Sequence, residues 1–159
     1  MRKHQKGFSL IELLIVVAII LIIAAIAIPN LLRSRMAANE SSAVGSLRTI
    51  NTAEVTYATT YPTVGFAALT ALGGAAPCTS ATSTAACLLD DVLSATAATK
   101  SGYLFTVTPG TQTPVVTYTT TATPTVIGQS GQRGFYSDQS GVIRYTTDGT
   151  APSSSAPAL

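Results

Sequence analysis

Lys6-Gly7-Phe8-Ser9-Leu10-Ile11-Glu12-Leu13-Leu14 opens an apolar run that continues to Ile28. From Leu13 to Ile28 every residue is Leu, Ile, Val or Ala, and Glu12 is the single charge between Phe8 and Ile28. Arg2, Lys3, His4 and Lys6 stand ahead of it. Phe8 to Ile28 is 21 residues. As a helix that is roughly 30 Å, the thickness of one hydrocarbon core. The flanking cations favour the cytoplasmic side. A carboxylate inside such a run is costly unless it lies at the headgroup level or finds a partner. The run is therefore read as a membrane segment whose acid is a functional candidate.

Gly7-Phe8-Ser9-Leu10-Ile11-Glu12 behind a short basic leader resembles the prepilin signal of type IV pilins and type II secretion pseudopilins. The resemblance is strong over roughly residues 1 to 60 and general beyond them. In that family a membrane-embedded aspartyl peptidase cuts after the glycine and methylates the new amino terminus. The resemblance thus implies processing between Gly7 and Phe8 and N-methylation of Phe8. It implies an assembly role for Glu12, the fifth residue of the mature chain, and a helix kink at Pro29. The physics agrees. Cleavage leaves a cationic amine on Phe8, and methylation keeps it protonated. A buried charge left alone is strongly destabilising, whereas a buried pair is tolerated. The amine of one subunit and the acid of its neighbour can neutralise each other, so Glu12 works as a register device. Two other readings compete. One is a secretory signal peptide cut near Ala25-Ile26-Ala27, against which stand the length of the apolar region and its acid. The other is a signal anchor holding an unrelated domain.

Charged residues make up 10% of the 159-residue chain and hydrophobic ones 47%, which leaves room for one domain beyond the rod. Loss of Arg2, Lys3 and Lys6 with the leader leaves six basic against seven acidic side chains. The basic excess of the precursor belongs to its leader and carries no nucleic-acid reading. Past Pro29, Leu32, Met36, Ala43, Leu47, Ile50, Glu54, Tyr57 and Tyr61 recur at spacings of three and four. That pattern predicts an amphipathic helix with one face for a sheet. Tyr61-Pro62 ends it, because the residue before proline disfavours the helical region. Arg33, Arg35, Glu40, Arg48 and Glu54 on this half read first as solvated helix surface. The sequon Asn39-Glu40-Ser41 is discounted for its helical placement.

Residues 62–100 form a link, with a short helix over Phe66–Leu72 and another over Leu88–Leu93. Asp90 and Asp91 suit the first turn of the latter better than acid–base or calcium chemistry. Cys78 and Cys87 are the chain's two cysteines, and in an exported domain they read as a disulfide closing a small loop. Pilins commonly close such a loop nearer the C-terminus, so the position departs from the family's pattern. Strands are expected at 103–107, 115–121, 133–137 and 141–145, the last two joined through Asp138-Gln139-Ser140. Asp138 and Asp148 read as turn formers ahead of calcium ligands. Residues 151–159 are Pro, Ser and Ala with a final Leu and read as a loose tail. The six tyrosines fit strand and core positions.

The expected class is α+β and pilin-like: a long N-terminal helix packed on a three- to four-stranded antiparallel sheet. Its parts are a cleaved leader (1–7), a transmembrane and filament-core helix (8–30), its amphipathic continuation (31–61), the linking loop (62–100), the sheet (101–150) and the tail (151–159). No Ser-His-Asp set, phosphate loop or metal-ligand spacing is present in the sequence, and cleavage discards His4, the sole histidine. The chain is thus read as a structural subunit of a type IV pilus, not an enzyme, with no cofactor and no metal. The alternatives are a type II secretion pseudopilin and an anchored extracytoplasmic binding domain. The implied partners are further copies of itself, a prepilin peptidase and N-methyltransferase, the inner-membrane pilus or secretion machinery, and the bilayer before assembly, with no nucleic acid. The precursor would lie in the cytoplasmic membrane and the assembled subunit at the cell surface.

Overall fold

A computed structural model describes residues 8–74 and 77–159. The leader, and with it Gly7, lies outside the described residues. The chain forms two compact units, divided between Arg35 and Met36. One helix, α1 (Leu10–Thr60), contributes to both.

Ser9-Leu10-Ile11-Glu12 has the Ser-x-x-Glu spacing of a capping box and makes its Glu-to-backbone half. The Glu12 Oε2 accepts the Ser9 backbone N–H at 2.9 Å, and the Leu13 N–H closes the first helical bond on the Ser9 carbonyl at 3.2 Å. In the first unit α1 is exposed along its whole length except at Ala24, which is half-buried. Pro29 lies inside the helix, where it has no N–H to offer the Ala25 carbonyl. The helix is long and apolar enough to cross a membrane by length and composition. It ends at Thr60, one residue short of the expected boundary, ahead of Tyr61-Pro62.

The second unit, the head, packs the C-terminal half of α1 on an antiparallel sheet. The helix buries Ala43, Leu47, Ile50, Ala53 and Tyr57, at steps of three and four. These meet Leu69 and Leu72 of a four-residue helix α2 (Leu69–Leu72), Leu93, and the inward residues of the sheet, among them Tyr103, Phe105, Tyr118 and Phe135. The strands are β1 (Ala98–Lys100), β2 (Tyr103–Pro109), β3 (Tyr118–Pro124), β4 (Gly134–Asp138) and β5 (Arg144–Thr146). They pair in sequence order as a five-stranded antiparallel meander. β2 alternates cleanly, with Tyr103, Phe105 and Val107 inward and Leu104, Thr106 and Thr108 outward.

The α+β class holds, and several local expectations are corrected. The sheet has five strands because β1 lies in the segment read as linker. It turns into β2 through Ser101-Gly102, with φ of +50° and +72°, the two positive angles that a tight hairpin needs. β3 begins at Tyr118 and not at Val115. Val115 is instead drawn to the loop that follows α1: its N–H donates to the Val64 carbonyl at 2.8 Å and its carbonyl accepts from the Phe66 N–H at 2.9 Å. α2 is shorter than the expected Phe66–Leu72. Leu88–Leu93 is no helix. The Asp90 carboxylate accepts the Leu93 N–H at 2.9 Å and pairs with Lys100 of β1 at 2.6 Å, so the chain makes one turn and leaves for the sheet. The tail is not loose. Tyr145 donates to the Pro157 carbonyl at 3.1 Å and Leu159 to the Ile143 carbonyl at 2.9 Å, which ties it along β5.

Candidate functional site

The first candidate is the start of α1. Phe8 is 75% exposed, and Leu10 and Ile11 are 75% and 64% exposed. Beyond them come Leu13 to Ile28 with every large side chain open. Glu12 is the single acid on this surface, and its Oε2 takes the Ser9 N–H while Oε1 accepts no hydrogen bond from the described residues. The carboxylate is thereby held beside the backbone that follows Phe8. That is where a terminal amine on Phe8 would lie. The surface can bury itself in lipid or against other helices, and its acid can receive one cation.

Of the charged residues further along α1, two depart from the expected solvated helix surface. Glu40 is 7% exposed and Glu54 is fully buried. Glu40 receives the backbone N–H of Gln132 at 2.9 Å and of Arg133 at 3.0 Å, and the Arg133 Nε at 2.8 Å. Burial alone would raise its pKa, but these three donors outweigh burial and hold it below the usual carboxylate range. The Arg133 guanidinium also lies 5.6 Å from the Phe135 ring centre and 5.8 Å from that of Tyr145. Glu54 has one donor, the Ala67 N–H at 3.0 Å, and its Oε1 is buried without a partner. Burial pushes its pKa up to about 7. Arg33, Arg35 and Arg48 remain exposed as read.

Cys78 and Cys87 form a disulfide. The Tyr57 hydroxyl donates to the Ser83 carbonyl within that loop, and the Cys87 N–H donates to the Gly73 carbonyl at 2.9 Å. Asp138 accepts from the N–H and hydroxyl of Ser140, and Asp148 from those of Thr150, so both act within turns. Asn39 lies within α1 and donates to the Ser130 carbonyl at 2.8 Å. Among the described residues no group of three or more His, Cys, Asp or Glu is placed to hold a metal ion.

Sequence reasoning missed the Glu40–Arg133 contact, because the partners lie 93 positions apart. It also passed over the Glu12–Ser9 contact at the helix start, whose Ser-x-x-Glu spacing was legible.

Residues 2–28 match the family model described as the prokaryotic N-terminal methylation motif. The chain is similar to the type IV wide pilus major component PilA4 of Thermus thermophilus, 62% identical over 39 residues, covering 24% of this chain and 30% of that protein. It is also similar to the type IV major pilin protein PilA of Myxococcus xanthus, 48% identical over 54 residues, covering 34% of this chain and 24% of that one. The matches span about a third or less of either relative's length. No solved structure matches the chain. The N-terminal segment is of the prepilin type, and the fold it leads into is α+β and pilin-like.

Proposed function

We propose that this chain is a structural subunit of a type IV pilus. The precursor lies in the cytoplasmic membrane through Phe8–Ile28. A prepilin peptidase cuts after Gly7, and its methyltransferase activity modifies the Phe8 amine. The processed subunit then enters a filament through α1, with Pro29 bending the helix and the Glu12 carboxylate of one copy pairing with the Phe8 ammonium of the next. The observation that carries this reading is an open apolar helix bearing one acid, Glu12, at the fifth position behind Gly7. An apolar surface of this extent has to be covered by lipid or by other chains. The matched methylation motif and the two pilin relatives support the same reading.

Mass spectrometry of filaments sheared from cells tests it. The expected result is an abundant chain that begins at methylated Phe8. A start at Pro29 or Asn30 would mean a secretory signal peptide, and an intact Met1 or Arg2 a signal anchor. A processed chain absent from long fibres, with a deletion that impairs only the export of enzymes, would identify a pseudopilin instead.

A further inference from the structure

Between Glu12 and Glu40 the sequence carries two ionisable side chains, Arg33 and Arg35. Both are exposed on α1, and neither forms an ion pair among the described residues. Glu40, the nearest acid on the C-terminal side, is committed to Arg133 and to the backbone of Gln132. Ser34, between them, turns its hydroxyl back on the Asn30 carbonyl at 3.0 Å and offers neither arginine a partner. Among the described residues these two cations thus have no counterion.

Their position along the rod indicates where one is found. Arg33 and Arg35 lie five and seven residues past Ile28. With Phe8–Ile28 across the hydrocarbon, that is about 7 and 10 Å beyond its edge. The headgroup layer of one leaflet is roughly 5–8 Å thick. Side chains on a helix lean toward its N-terminus, so both guanidinium groups reach back to the level of the lipid phosphates. Two residues turn a helix by about 200°, so the arginines flank opposite sides of the rod and meet different lipids. A guanidinium fork matches phosphate oxygens bidentately. Cations on the far side of a span also run against the usual charge bias of membrane helices. Local phosphate pairing offsets that penalty.

We propose that Arg33 and Arg35 bind the phosphates of anionic phospholipids in the extracytoplasmic leaflet and so set the depth of the membrane-resident subunit. This rests on the membrane-resident state proposed above. The test uses the full chain processed to Phe8, placed in nanodiscs of mixed phosphatidylcholine and phosphatidylglycerol, with retained lipid read by native mass spectrometry. The wild type should retain phosphatidylglycerol preferentially, and R33Q/R35Q should lose roughly tenfold or more of that preference. R33K/R35K, which keeps the charges but not the forks, should fall between them. Circular dichroism of all three checks that the helix persists. Equal retention by the wild type and a folded R33Q/R35Q overturns the proposal while leaving the membrane-resident state intact. Failure of the wild type to enter any bilayer overturns both.

Discussion

Glu54 carries a carboxyl into the head core with no cation beside it. The titratable groups that feel its charge are the phenols of Tyr57, on the same helix, and Tyr118, on β3. Its folded pKa of about 7 lies above the reference 4.5, so the folded head binds a proton that the unfolded chain releases. Its contribution is fully present below pH 4.5, declines from there, and is lost as pH passes 7. The shift corresponds to about 3 kcal/mol. Glu54→Gln keeps the shape and an acceptor for Ala67. It should stabilise the head at pH 8 and abolish the part of the slope that is specific to wild type. Urea melts of both proteins from pH 4 to 8 check this, and parallel curves would disprove it. Glu12 invites a different substitution. Gln also serves at the third position of a capping box. Glu12→Gln should therefore insert and begin its helix normally, yet yield few or no sheared filaments. A normal yield would show that charge pairing with Phe8 is not what drives assembly.

α1 is held to the sheet by apolar contact along most of the head and by polar contacts at Glu40 and at Asn51, whose side chain donates to the Ser137 hydroxyl on β4 at 2.8 Å and accepts from the Tyr118 hydroxyl on β3 at 3.1 Å. Glu40→Ala would leave the N–H groups of Gln132 and Arg133 without their acceptor and the Arg133 guanidinium half-buried without its anion. Losses of this kind cost about 3 kcal/mol. The expected result is a lower denaturation midpoint with an unchanged slope, since the surface exposed on unfolding stays the same. The sign with pH is opposite to that of Glu54. The folded pKa of Glu40 is depressed, so its contribution is present above the reference 4.5 and lost as pH falls through the folded value. Periodicity in α1 revealed which face would be buried and put Glu54 on it, but charge still read Glu40 and Glu54 as solvated surface. Among the strands, β2 was legible because Tyr103, Phe105 and Val107 alternate with polar or outward residues between turn signals. β1 was not, because three residues of Ala, Thr and Lys carry no pattern until Tyr103, Leu104 and Phe105 pair with them.

The disulfide acts on the whole head by shortening the unfolded chain. Cys78 and Cys87 are nine positions apart. Closing a loop of that size contributes about 2–3 kcal/mol in the chain-entropy account. Cys78→Ser/Cys87→Ser should lower the melting temperature of the head and leave insertion of the apolar helix unchanged. Calorimetry together with a membrane fractionation checks both halves of that statement.

The amino-acid order alone determined the apolar rod, its lone acid, the basic residues ahead of it, the buried stripe of α1 and the succession of helix before sheet. These are set by local periodicity and by spacings of a few residues, which need no partner to be read. Only the tertiary structure decided that β1 joins the sheet, that Val115 pairs with the loop after α1 rather than with a neighbouring strand, and that the tail lies along β5. It likewise decided which acids of α1 are solvated and which are enclosed. Those outcomes depend on donors and apolar surface brought from up to 93 positions away, and such meetings exist only once the chain has folded.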